Sequence, residues 1–260
     1  MQDLIVAFKK YLFPDRCIIC KSYPNLLCQN CIDKLTYCNS ICHVCKTATD
    51  NFSVHDNCKK QTAMTNCFVC FNYSKSIEKL VVTLKFHFIE DMAGIIASLM
   101  FQSGRVPELK DYVIIPIPLH RKRENRRGFN QSELIANCLV NDSERHPPER
   151  TPLSQPPQAQ SGLRGSQKGM LVLKKIVKLL KRTKERKPQL GKNKHDRMSN
   201  NLGIFEVDKK TALNFSRDQE LKFLLVDDIC TTGATLESAA IELKKYWPNA
   251  SISSLVFARG

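Results

Sequence analysis

The spacing of apolar and polar residues changes period along this chain, and each change marks an element. Residues 67, 69, 71 and 73 are apolar or aromatic in alternation, which predicts a strand. Helical spacing follows over 76–86 and 90–102, an apolar strand run over 111–118, and helical spacing again over 130–140. Further strands are expected near 172–180, near 204–207, at 222–226 and at 251–257, with a helix over 234–246 between the last two. Strands alternating with helices argue for an α/β domain over 64–260, with a mainly parallel sheet and helices on its faces. Residues 141–170 are rich in Pro, Ser, Gln and Gly with hardly any aliphatic side chains, and read as a disordered insertion.

The first 63 residues follow neither period. Ten of the 12 cysteines fall within the first 70 positions, and four ligand pairs share one spacing: Cys17-x-x-Cys20, Cys28-x-x-Cys31, Cys42-x-x-Cys45 and His55-x-x-Cys58. A two-residue gap turns both ligands of a tight knuckle toward one tetrahedral ion, and two such pairs complete a structural zinc site. Residues 1–63 therefore read as a small zinc-binding module. Sequential pairing gives Cys17, Cys20, Cys28 and Cys31 for a first zinc and Cys42, Cys45, His55 and Cys58 for a second; cross-braced pairing would interleave them. Cys38 and His43 are left over. Cys67-x-x-Cys70 lies in a strand pattern that sends the two side chains to opposite faces, so these thiols, with Cys138 and Cys230, are read as structural.

Charge adds a second asymmetry. The chain carries a net +15 over 260 residues, and residues 110–200 hold 21 basic against 8 acidic side chains, so 13 of those charges lie in one third. Such a block suits a phosphate-rich partner, nucleic acid or a polyphosphorylated small molecule, and equally describes a solvated basic loop. No apolar run approaches the roughly 20 residues of a membrane span, and the N-terminus lacks a basic leader and a cleavage site, so a cytoplasmic location is expected.

The chemistry concentrates in "FLLVDDICTTGAT", residues 223–235. Ligands of open parallel sheets bind beyond the carboxyl ends of buried strands, where Asp227 and Asp228 are expected. Thr231, Thr232, Gly233, Ala234 and Thr235 then lead into a helix, a ready phosphate nest. Carboxylates beside such a nest make sense when the ligand also carries hydroxyls, as a ribose 5-phosphate does. Neither a G-x-x-x-x-G-K-[ST] loop nor a G-x-G-x-x-G following a strand is present, which argues against an ordinary NTPase or dinucleotide site.

This stretch resembles the phosphoribosyl pyrophosphate (PRPP) signature of type I phosphoribosyltransferases. With the cysteine module, "LKF" at 84–86, "PIPLHRKRENRRGFNQSELIA" at 116–136 and "RTKERKPQLGKNKHDRMSNNLGIF" at 182–205, the chain resembles the ComF/ComFC competence proteins. The resemblance implies that Asp227 and Asp228 bind the ribose hydroxyls and carry any catalysis, and that residues 231–235 wrap the 5-phosphate. Arg121, Arg123, Arg126, Arg127, Gly128 and Arg182 would face pyrophosphate or DNA, and Arg182, Thr183, Gln189, Arg197 and Asn201 match a second basic motif that would form a mobile hood over the ligand. It implies structural Zn2+, and Mg2+ arriving with PRPP. It further implies handling of incoming single-stranded DNA during natural transformation, with the DNA-translocating helicase and recombination mediators as partners. An active phosphoribosyltransferase with an unidentified acceptor and a non-catalytic PRPP or nucleotide sensor are the alternatives. Phe129 is the only aromatic between Tyr112 and Phe205, so no base-stacking platform is visible there.

Overall fold

A computed structural model describes residues 16–23, 25–86, 91–145, 176–183, 203–217 and 220–260. In chain order these form α1 (Gln29–Ile32), β1 (Asn66–Asn72), α2 (Lys75–Phe86), α3 (Asp91–Gln102), β2 (Val113–Pro116), α4 (Arg121–Arg127) and α5 (Gln131–Arg145). They continue with β3 (Leu180–Arg182), β4 (Phe205–Val207), α6 (Lys209–Ala212), β5 (Lys222–Cys230), α7 (Ala234–Tyr246) and β6 (Ser251–Arg259).

The central sheet runs β1-β6-β5-β2 with every pair parallel, and β3 and β4 form a small antiparallel ribbon. Phe223 through Val226 are fully buried, as a strand covered on both faces must be. Helix α2 presents Ile77, Leu80, Val81 and Leu84 to the core at helical spacing, and Ser74 Oγ accepts the Ile77 N–H at 3.3 Å to start it. Helix α7 buries Leu236, Ala239, Ala240 and Leu243 in the same way and stops at Trp247, whose ring packs edge-on against Phe223 and Phe215. Each fully buried Leu or Phe here contributes about 1.5–3 kcal/mol.

The cysteine-rich segment lies along the outer side of β1. Cys38 N–H donates to Cys70 O at 3.0 Å and Asn72 N–H to Thr36 O at 2.9 Å, so residues 36–38 pair with β1 in antiparallel sense. Ser53 bridges Asn66 lower on the same strand, and Phe52 packs edge-on against Phe68.

Three elements differ from the sequence reading. Strand β5 does not end at Val226 but runs to Cys230, because Asp227, Ile229 and Cys230 still pair with β6; ladder bonds use the backbone and tolerate the two acids. The basic stretch 121–127 is the helix α4 rather than a loop: His120 caps its start, accepting from Lys122 N–H, and Gly128 ends it at φ +80°. Helix α5 continues past Val140 to Arg145, so the first five residues of the expected insertion are helical. Residues 146–175 and 184–202 lie outside the described residues, and with them Gln189, Arg197 and Asn201.

Candidate ligand site and metal-binding clusters

The four cysteine and histidine pairs assemble sequentially. Cys17, Cys20, Cys28 and Cys31 bring their ligand atoms within 4.8 Å of one another, and so do Cys42, Cys45, His55 and Cys58. Both clusters are built the same way. In the first, Lys21 N–H closes on Cys17 O at 2.8 Å with Lys21 at φ +67°; in the second, Lys46 N–H closes on Cys42 O at 2.9 Å, also at φ +67°. The second pair of each cluster opens a short helix, Cys28 before α1 and His55 before the 3-10 turn Asp56–Gln61. Hydroxyls of Ser22 and Thr47 lie 3.0 and 3.1 Å from the Cys20 and Cys45 sulfurs. These hydroxyls draw the Cys20 and Cys45 thiols down to about 6, while burial pushes Cys31 up to about 12 and Cys58 up to about 11. Crowded thiols that share protons this unequally, with one imidazole in the second set, are a donor chemistry that fits tetrahedral Zn2+ in both clusters.

Cys67 and Cys70 stand apart from both clusters. They are buried in β1, where Arg259 Nη2 donates to Cys67 Sγ at 3.1 Å and burial pushes Cys70 up to about 12.

At the carboxyl end of β5, Asp227, Ile229, Cys230, the run Thr231–Thr235 and Leu236 line one pocket. Gly233 occupies the left-handed region at φ +79°, the conformation that lets the chain leave β5 and enter α7 within three residues. The start of the 13-residue α7 lines the pocket beside the threonine hydroxyls, and its first N–H, that of Ala234, donates to Thr232 Oγ1 at 3.4 Å. Asp227 Oδ1 accepts from Ser132 Oγ at 2.8 Å and from Asp228 N–H at 2.9 Å. Burial pushes its carboxyl up to about 8, and the neighbouring Asp228 charge acts in the same direction.

Asp228 does not line that pocket. Gln131 Nε2 donates to its Oδ1 at 3.4 Å and Lys85 Nζ forms an ion pair with Oδ2. Gln131 also accepts from Arg127 Nη1 at 3.0 Å, and the Arg127 guanidinium stacks over the Phe86 ring at 5.2 Å. Asn130 holds the entry to α5 by donating to Ile117 O at 3.1 Å and accepting from Ser132 N–H at 3.1 Å. The end of α2, the end of α4, the start of α5 and the end of β5 thus meet around two carboxyl groups.

Of the basic residues singled out, Arg127 enters this network, while Arg121 and Arg126 are exposed on α4 and Gly128 caps it. Arg182 on β3 bridges to His120 at the start of α4 and stacks over Phe205 at 5.6 Å; Thr183 N–H bonds Ile204 O at 2.9 Å. Sequence reasoning assigned no role to Lys85, Gln131 or Ser132. "LKF" and "GFNQSE" contained them, but nothing in either stretch names a partner on β5.

No protein-family model matches the chain. Competence protein ComFC of Bacillus subtilis is 25% identical over 244 residues, spanning 90% of this chain and 84% of that protein. Competence protein F of Haemophilus influenzae is 24% identical over 244 residues, spanning 85% of this chain and 92% of that protein. Among the described residues no helix is long and apolar enough to cross a membrane. Two relatives matched over most of their length, an α/β fold and two cysteine-rich tetrads agree, and together they support membership of the ComF/ComFC family of competence proteins.

Proposed function

We propose that this competence protein binds a 5-phosphoribosyl diphosphate of the PRPP type at the carboxyl end of β5 and handles incoming single-stranded DNA. The observation that carries the ligand reading is the shared pocket of Asp227 and Thr231–Thr235 at the start of α7. Threonine hydroxyls and helix N–H groups suit the 5-phosphate, and the carboxyl pair suits the ribose hydroxyls. Asp227, pushed up to about 8, holds its proton at neutral pH and so adds no negative charge against an anionic ligand. Mg2+ would arrive on the ligand's own diphosphate and neutralise part of its charge. Support for DNA handling comes from the competence relatives and from the exposed cationic face of α4.

Calorimetry with PRPP and Mg2+ tests the ligand, comparing wild type with Asp227→Asn plus Asp228→Asn. Micromolar binding lost in the double variant is expected; equal heats in both proteins would sink the assignment. Anisotropy of a labelled single strand tests the DNA role, with a salt-dependent affinity that falls when Arg121, Arg123 and Arg126 become Gln. Pyrophosphate released only with a particular acceptor would make the protein a transferase as well as a binder.

A further inference from the structure

The carboxyl pair at the end of β5 splits the site in two. Asp227 lines the threonine-loop pocket and accepts from Ser132 of α5, while Asp228 is held by Gln131 of α5 and Lys85 of α2. Asp228 is 6% exposed at its side chain and fixed by Gln131, whereas its ion-pair partner Lys85 is 22% exposed on the last turn of α2. The cation therefore stands at the mouth and the anion at the base. Next to Lys85 in the chain, Phe86 carries the Arg127 guanidinium on its ring, and Arg127 Nε is buried with no hydrogen-bond partner. Two cationic groups thus converge on the Asp228 side, none of them engaged by the threonine loop.

We propose that Lys85 is an exchangeable counterion: it neutralises Asp228 in the empty site and moves to the diphosphate of a bound phosphoribosyl diphosphate, beside Arg127. This rests on the phosphoribosyl reading above. A buried carboxylate without a partner is costly, so Asp228 requires a cation while the site is empty. Ribose hydroxyls donating to Asp228 replace the Lys85 N–H, and the released ammonium keeps an anionic partner only when the ligand brings one at its anomeric end. The exchange is balanced for a phosphoribosyl diphosphate. For ribose 5-phosphate it is not, because breaking the Lys85–Asp228 pair leaves the ammonium without a new anion. Lys85 is accordingly a specificity-determining residue that favours the diphosphate over the plain sugar phosphate.

The test is calorimetric titration of PRPP and of ribose 5-phosphate into the full-length zinc-loaded protein, as wild type, Lys85→Met and Lys85→Arg. Lys85→Met should tighten ribose 5-phosphate by about 10- to 100-fold while changing PRPP by less than about threefold, and Lys85→Arg should keep most of the wild-type preference. A Lys85→Met variant that shifts both ligands equally, or neither, overturns the counterion exchange while leaving the phosphoribosyl reading intact. Lys85→Arg behaving like Lys85→Met overturns it also. Wild type binding neither ligand overturns the phosphoribosyl reading and this inference with it.

Discussion

Glu237, in the first turn of α7, ties that helix to the cysteine-rich segment. Its Oε1 accepts from Ala63 N–H at 2.7 Å and its Oε2 from Thr62 Oγ1 at 2.5 Å. Thr62 has one hydroxyl proton and gives it to Glu237, so its oxygen accepts from Met64 N–H at 3.1 Å and from His43 Nε2 at 2.9 Å. His43, beside Cys42, is pushed down to about 4, first by burial; neutral at pH 7, it forms no ion pair with Glu237. Glu237→Ala removes two bonds to a charged acceptor and strands a backbone N–H. At roughly 1.5–3 kcal/mol per such bond, discounted for the partial exposure of the carboxylate, the loss should be about 2–4 kcal/mol. Glu237→Gln keeps an acceptor for Ala63 N–H but loses the charge at a helix start, and should cost about 1 kcal/mol. Trp247, the only tryptophan, is buried at the other end of α7 and reports urea unfolding by fluorescence. An alanine variant within about 0.5 kcal/mol of wild type, or a Gln variant as damaging as Ala, would refute the reasoning.

Two further outcomes are expected. Asp227 keeps its proton up to about pH 8 in the fold against about 4 in the unfolded chain, so the stability it contributes is complete below about 4 and declines as pH rises to about 8. Asp227→Asn keeps the acceptor for Ser132 and Asp228 and cannot ionise; its stability relative to wild type should therefore rise from pH 5 to pH 8 and level off above, and a pH-independent gap would contradict the assignment. Zinc analysis of purified protein should find two ions per chain in wild type and in Cys38→Ser, but one each in Cys31→Ser and Cys58→Ser, with equal content in all four proteins refuting the sequential tetrads.

Much of this architecture is written in local pattern. "FLLV" is legible as a doubly covered strand because burial on both faces forbids polar residues, and Gly233 is legible as the hinge into α7 because only glycine takes φ +79° without strain. Helix α4 was missed because it buries nothing: "RKRENRR" has no apolar face, and its helicity comes from the His120 and Gly128 caps. The end of β5 was missed because adjacent acids look like a loop, although strand pairing is indifferent to side-chain charge. The metal pairing was within reach. Cys17-x-x-Cys20-Lys21-Ser22 and Cys42-x-x-Cys45-Lys46-Thr47 repeat one knuckle with its left-handed lysine and hydroxyl, each followed by a pair at a helix start, a tandem signal for sequential sites. The Lys85–Asp228 contact was out of reach, because tertiary folding alone brings α2 to the end of β5.

The antiparallel seating of residues 36–38 on β1 has a consequence beyond holding the metal clusters in place. A parallel sheet ending in an open strand offers unpaired N–H and C=O groups to any other extended chain, the usual starting point of strand-mediated aggregation. Here Thr36 and Cys38 occupy those groups on Asn72 and Cys70, and Ser53 shields the position at Asn66. The segment that does so carries the two cysteine tetrads, so a metal held there would guard colloidal behaviour as well as fold. Were that segment to unfold, β1 would present a sticky edge to other copies of the chain.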